Sequence, residues 1–238
     1  MKALLSLLIL CSACAFGQRR IDVDQDITLQ TGAFFQAVNG MPVNTNVYYK
    51  VVEGTAWYDP EWTKGTVAFE KHRYGNLWLK LDLLKNELHF KDIKGEEMIC
   101  SSPINRIIFG DSTVRGAQFT TFVHSSFVPG LAPLKPDAWM QVQAEGRAGL
   151  YTHHKKSISE SRPYGSATLE QRITTSEIHY LVQNNKYVRV KKLADLVNAL
   201  PDKKTEIQQW IKDNNIEGNT AADLGRVVDA YNNMFPKS

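Results

Sequence analysis

The residues whose types could do chemistry gather first in W-Y-D-P-E-W. Trp57, Tyr58 and Trp62 surround Asp59, Pro60 and Glu61. Aromatic faces stack on the apolar faces of sugars, and Trp and Tyr tips add hydrogen bonds. The acids on either side of Pro60 could act as a general acid and base, as in glycoside hydrolysis. The competing reading is plain packing, in which the rings mark where strands meet a core and Asp59-Pro60 is a turn. Trp62 runs directly into Gly65-Thr66-Val67, a strand start, and is expected to be buried. Further on, Trp78 is out of phase with Leu77, Leu79 and Leu81, so it should face away from the side those leucines bury. Trp57, Tyr58 and Trp78 are therefore the candidate ligand-binding residues.

Other chemistry is poorly represented. The chain holds no G-x-S-x-G, no H-E-x-x-H, no phosphate-binding glycine loop and no dinucleotide fingerprint. His153 and His154 are adjacent, so on a strand they point to opposite faces, and Lys155 and Lys156 beside them would repel a cation. They read as an exposed basic strand end. His89 and His179 fall on predicted strands and read as structural histidines with their bonds satisfied. Ser101, Ser102, Ser125 and Ser126 read as turn residues. A hydrolase would need a non-local site gathered from residues such as Asp59, Glu61, His72, Asp82 and His89. No catalytic residue, metal-ligand set or cofactor is assigned, and the reading leans away from an enzyme.

Compartment is better marked. Lys2 is followed by the apolar run A-L-L-S-L-L-I-L, and small residues Ala15 and Gly17 precede Gln18. This is the pattern of a secretory signal peptide over residues 1–17, with periplasm or cell exterior as the destination. Lipid attachment at Cys14 is the rival processing event. Ser12 and Ala13 suit it, but Cys11 stands where a Leu is usual. Of the 3 cysteines, only Cys100 lies beyond the leader, so no disulfide forms within the mature chain. Its surroundings, E-M-I-C-S-S-P, suit a buried small hydrophobe. The formal net charge is +3 and the basic residues are dispersed, which implies neither nucleic acid nor an anionic membrane as partner. After residue 17 no segment is apolar enough to span a bilayer. The sequence names no partner; a glycan and an envelope protein are the candidate classes.

The elements that must position these residues are mostly strands. V-Y-Y-K-V-V-E, G-T-V-A-F-E and N-L-W-L-K-L-D-L-L lead to a turn at Lys85-Asn86, from which E-L-H-F-K-D returns as partner. Short strands and tight turns continue to a hairpin around Glu145-Gly146 and another around Asn184-Asn185. The prolines of V-P-G-L-A-P-L-K-P-D make residues 128–137 a loop. The polar S-I-S-E-S-R-P-Y-G-S-A-T-L-E reads as a long excursion. From about Lys191 the apolar period becomes helical. Stripes fall at Leu193, Leu196, Val197 and Leu200, at Ile207, Trp210 and Ile211, and at Leu224, Val227, Val228, Tyr231 and Phe235. Thr220 and Asp223 stand in capping-box positions before the last of them.

The order of W-T-K-G-T-V, Y-G-N-L-W-L-K-L-D-L-L-K-N-E-L-H-F, E-G-R-A-G-L-Y and H-Y-L-V-Q-N-N-K-Y-V-R-V resembles a group of uncharacterised secreted proteins of Bacteroidota-type bacteria. The resemblance covers most of the chain after residue 17. It implies compartment and architecture, and transfers no functional residue. The expected fold is α+β. An antiparallel β-rich domain over residues 18–190, a meander of roughly eight to ten strands with sandwich or barrel character, precedes a three-helix C-terminal segment over 191–238 that packs on it. The expected function is that of a non-enzymatic envelope protein, a binding or structural module. A carbohydrate-binding module using the exposed rings and a hydrolase are the alternatives.

Overall fold

A computed structural model describes residues 31–43, 49–69, 72–111, 113–134, 137–165 and 167–235. The expected leader and its cleavage site lie outside the described residues. A short helix comes first, α1 (Thr31–Ala37). Then follow β1 (Gly40–Pro42), β2 (Tyr49–Glu53), β3 (Thr63–Phe69), β4 (His72–Asp82), β5 (Glu87–Lys91) and β6 (Glu97–Cys100). The second half carries β7 (Arg106–Phe109), β8 (Thr120–His124), β9 (Trp139–Ala144), β10 (Ala148–Ser161), β11 (Leu169–Gln183) and β12 (Lys186–Val190). Three helices end it, α2 (Leu193–Asn198), α3 (Lys204–Asp213) and α4 (Ala221–Asn233).

All the strands of the described residues belong to one 12-stranded sheet. Its order is β1-β6-β5-β4-β3-β7-β8-β9-β10-β11-β12, and β2 pairs in parallel with the far end of β11. The antiparallel meander is present, but a sandwich would need two sheets. Growth occurs in both directions from β3, because β3 pairs with β4 on one side and with β7 on the other. Among the described residues no ladder joins β1 to β12, so the sheet is not closed into a barrel by that pairing.

Two asparagine turns fix the registers. Asn86, Asn184 and Asn185 all have positive φ, the conformation that Asn tolerates and that tight hairpins require. The polar stretch after Lys156 is not a free excursion. It continues β10 to Ser161, and β11 returns from Leu169, so both strands extend into a long ribbon. Backbone ladder bonds do not depend on side-chain polarity, which is why an apolar period was missing there. Gly54 closes the end of β2 against this ribbon. Its φ is +75°, and a Cβ there would lie 1.9 Å from the Ile173 carbonyl oxygen.

Opposed residues of a ladder share a face. One line of them runs Tyr74, Val67, Ile107, Phe122, Gln141, Thr152, His179 and Val190 across the sheet. Call this the inner face. At the β4 end it buries Leu77, Leu79, Leu81, Phe90 and Phe122. Helix α1, which the sequence reading had given to β structure, lays Phe34 on that core with no exposed surface. At the β11 end it buries Ala148, Leu150, Leu181 and Val190 under the three C-terminal helices. Their buried stripes are the expected ones, led by Leu196, Leu200, Ile207, Leu224 and Val228. Thr220 Oγ1 accepts from Asp223 N at 3.1 Å, capping α4 as expected. The opposite, outer face is covered near β8–β11 by the proline-containing loop, where Leu131 packs on Val123, Met140 and Tyr151.

Candidate functional site

The outer face of β3, β4, β5 and β6 carries the densest chemistry. Register puts Lys64 opposite Trp78, Lys80 opposite His89, Asp82 opposite Glu87 and Lys91 opposite Glu97. All of these lie away from the side on which Leu77, Leu79 and Leu81 are buried, because strand side chains alternate.

The strip before β3 crosses the end of β4. Trp57 forms a bridge with Asp82, Tyr58 N donates to Leu81 O at 2.9 Å, and Leu83 N donates to Ala56 O at 2.9 Å. Alternation then separates the neighbouring rings. Trp57 goes to the outer face, edge-on to His89 at 4.9 Å between centroids. Tyr58 goes to the inner face, where it meets Phe122 at 4.7 Å and His154 at 5.8 Å. Asp59 Oδ1 accepts from Glu61 N at 2.9 Å, so the Asp-Pro is a turn as expected. Trp62 is not buried as expected but half-buried. The β3–β4 ladder starts with Thr63 opposite Leu79, and continuing it one step places Trp62 on the side of Lys80.

Each outer indole has an ammonium over its ring. Lys80 Nζ is 4.2 Å from the Trp57 centroid and 5.7 Å from that of Trp62. Lys91 Nζ is 5.0 Å from Trp62, and Lys64 Nζ is 4.9 Å from Trp78. Lys64 also bonds Asn76 Oδ1. Trp78 is 44% exposed, in line with its phase. Such cation–π contacts contribute about 0.5–1 kcal/mol each at exposed sites. They hold the three half-buried lysines against the indoles on this face.

Next to the indoles, Asp82, Glu87 and His89 bring their ligand atoms within 4.8 Å of one another. Asp82 Oδ1 accepts from Leu84 N and Lys85 N, both at 2.8 Å. His89 Nδ1 is 2.8 Å from Glu97 Oε1, while His89 Nε2 and Glu87 Oε2 are buried and, among the described residues, have no hydrogen-bond partner. His89 was expected to be satisfied, and on one nitrogen it is not.

The remaining candidates sit elsewhere. Of the dispersed set, Asp82 and His89 meet, whereas His72 lines a cleft of about 410 Å³ with Arg73, Arg106, Glu145 and Tyr151. There Arg106 is engaged by Glu145 through two bonds, at 3.0 and 2.6 Å. Burial first, and then the Glu145 charge, push the Tyr151 phenol up to about 12. His153 and His154 are not an exposed strand end. They lie inside β10, and His154 bonds Gln141 Oε1 at 2.6 Å and pairs with Glu177 at 3.3 Å. His179 is satisfied by Thr152 Oγ1 at 2.9 Å. Ser125 Oγ accepts from Ala138 N at 3.0 Å and acts as a loop residue. Cys100 is half-buried rather than buried as expected, and that burial still pushes its thiol up to about 11, consistent with a structural rather than a nucleophilic cysteine.

No family model, curated protein or solved structure matches the chain. No described helix is long and apolar enough to cross a membrane.

Sequence reasoning missed Trp62, Glu87, Glu97 and the three lysines of the outer face. A signal was present. Once the turn is set at Lys85-Asn86, counting back along K-L-D and forward along E-L-H opposes Asp82 to Glu87 and Lys80 to His89.

Proposed function

We propose that the protein is an exported, non-enzymatic binding module of the cell envelope that takes an acidic polysaccharide on the outer face of β3–β6. The observation that carries this reading is the sharing of one face by Trp57, Trp62 and Trp78 with the ammonium groups of Lys64, Lys80 and Lys91. Indoles match the C–H faces of sugar rings, and ammoniums match carboxylates or sulfates along the chain. A neutral sugar would use the rings but displace the lysines from them without replacing the lost attraction. An acidic sugar uses both. Export rests on the leader-like residues 1–17 and on the resemblance to secreted proteins.

The test is calorimetry with oligouronates and sulfated oligosaccharides beside neutral glucans. Acidic chains should bind, with affinity falling as salt rises. Trp62→Ala, Trp78→Ala and Lys80→Ala should each weaken binding several-fold. Absence of binding to every acidic chain, or affinity unchanged in all three variants, refutes the reading.

A further inference from the structure

We infer that Asp82, Glu87 and His89 form a binding site for a divalent transition-metal ion, with zinc as the best match. The inference is independent of the polysaccharide reading, since none of these three residues is among the indoles and lysines on which that reading rests.

The ligand atoms come from two adjacent strands. Asp82 on β4 directly opposes Glu87 on β5, and His89 follows Glu87 by two positions on the same face. The Asp82 carboxylate, Glu87 Oε2 and His89 Nε2 thus converge from a rigid ladder rather than from loops. His89 Nε2 lies 3.6 Å from Glu87 Oε2. That is too long for a hydrogen bond. Two ligands of a tetrahedral zinc, each about 2.0–2.1 Å from the ion, stand about 3.4 Å apart.

The second nitrogen of His89 supplies an independent observation. His89 is only 4% exposed, and its Nδ1 is 2.8 Å from Glu97 Oε1. A carboxylate only accepts, so the proton of this bond is on Nδ1. With that proton on Nδ1, a neutral ring leaves Nε2 as an acceptor 3.6 Å from Glu87 Oε2, both atoms buried and, among the described residues, without a hydrogen-bond partner. A cation between them resolves the conflict. A carboxylate that accepts from the far nitrogen of a liganding histidine is also the usual second support of a zinc site. Asp82 has its own support, since Leu84 N and Lys85 N both donate to its Oδ1 and orient the carboxylate.

Nearby protein cations do not take the place of the ion. Lys80, which opposes His89, holds its ammonium over the Trp57 ring at 4.2 Å. Lys156 donates instead to Thr175 Oγ1 at 3.0 Å. Among the described residues neither forms an ion pair with Asp82 or Glu87. Two carboxylates and one imidazole favour zinc, cobalt or nickel over calcium and magnesium, which prefer oxygen alone. Trp57 packs edge-to-face with the imidazole, and the Glu87 side chain is 34% exposed, so the site lies close to solvent.

The experiment uses the full chain, stripped with a chelator and titrated with Zn²⁺ by calorimetry and with Co²⁺ by visible absorption. One equivalent should bind, with a cobalt d–d band that zinc removes. Glu87→Gln and His89→Gln should each weaken zinc at least tenfold. Glu97→Gln should weaken it about 10–100-fold through His89. Glu87→Gln alters a partly exposed side chain and keeps the test open if the His89 variant does not fold. The inference is overturned if the wild-type chain takes up no metal saturably, or if Glu87→Gln binds as tightly as wild type. Nitrogen NMR gives a separate check. A His89 ring with protons on both nitrogens that zinc does not displace at neutral pH would show that an imidazolium fills this place instead.

Discussion

Asn232 clasps Ala148 through both of its amide atoms. Its Oδ1 accepts from Ala148 N and its Nδ2 donates to Ala148 O, each at 2.9 Å. Helix α4 is tied in this way to the first residue of β10, just past the hairpin at Glu145-Gly146. Asn232→Ala leaves two backbone groups short of partners beside a buried residue, at about 1–3 kcal/mol for each group left unsatisfied. Urea denaturation should show the loss as a lower midpoint. Asn232→Asp keeps the acceptor and should recover part of it.

Stability should fall on mild acidification, because three histidines are held neutral by burial. His153, His154 and His179 are all depressed from the ordinary value of 6.5, with burial as the leading cause. For His154 and His179 the Glu177 charge opposes the shift. A depressed folded value means that the unfolded chain takes up the proton first. Their contribution is therefore fully present above about pH 6.5 and is lost as pH falls through the depressed folded values. Denaturant midpoints at pH 7.5 and pH 5.0 should differ in that direction. His179→Gln should narrow the difference.

Cys100 should be a slow thiol. Its value rises from 9.0 to about 11 because burial outweighs the bond to Ser102. Two units correspond to a thiolate fraction about 100-fold smaller at pH 8. Alkylation by iodoacetamide, followed at the Cys100 peptide by mass spectrometry, should be slow in the folded chain and fast in urea. Equal rates would contradict its burial.

Tyr58 and Trp78 should separate stability from binding. Tyr58, partly buried, packs on Phe109 and Phe122 at the margin of the inner core, whereas Trp78 stands on the outer face. Tyr58→Ala should cost up to about 3–5 kcal/mol, the range for truncating a core aromatic, and leave glycan affinity unchanged. Trp78→Ala should weaken the glycan and shift the melting temperature little. The reverse pattern would return Tyr58 to the binding surface.

The local pattern of the chain was enough for several elements. The Leu77-Leu79-Leu81 alternation defined β4 and the phase of Trp78, because a period of two has only two solutions. Asn86 and the Asn184-Asn185 pair marked their hairpins through a conformation few other residues adopt readily. The helical stripes and the Thr220 cap marked the C-terminal segment. Helix α1 escaped because seven residues carry too little period to stand out, and its stability comes from Phe34 docking on a core built by later strands. The ribbon of β10 and β11 escaped because ladder hydrogen bonds leave no mark on side-chain polarity.

Tertiary structure alone decided the site. W-Y-D-P-E-W brought three rings together in sequence, but the bridge from Trp57 to Asp82 sent Trp57 outward and Tyr58 into the core. Glu87 and His89 looked like ordinary members of a short strand. Their meaning comes from Asp82 across the β4–β5 ladder and Glu97 across the β5–β6 pair. Sequence determined which way each side chain points along its own strand. Which strands lie side by side, and so which charges face each other across the ladder, is a property of the sheet as a whole.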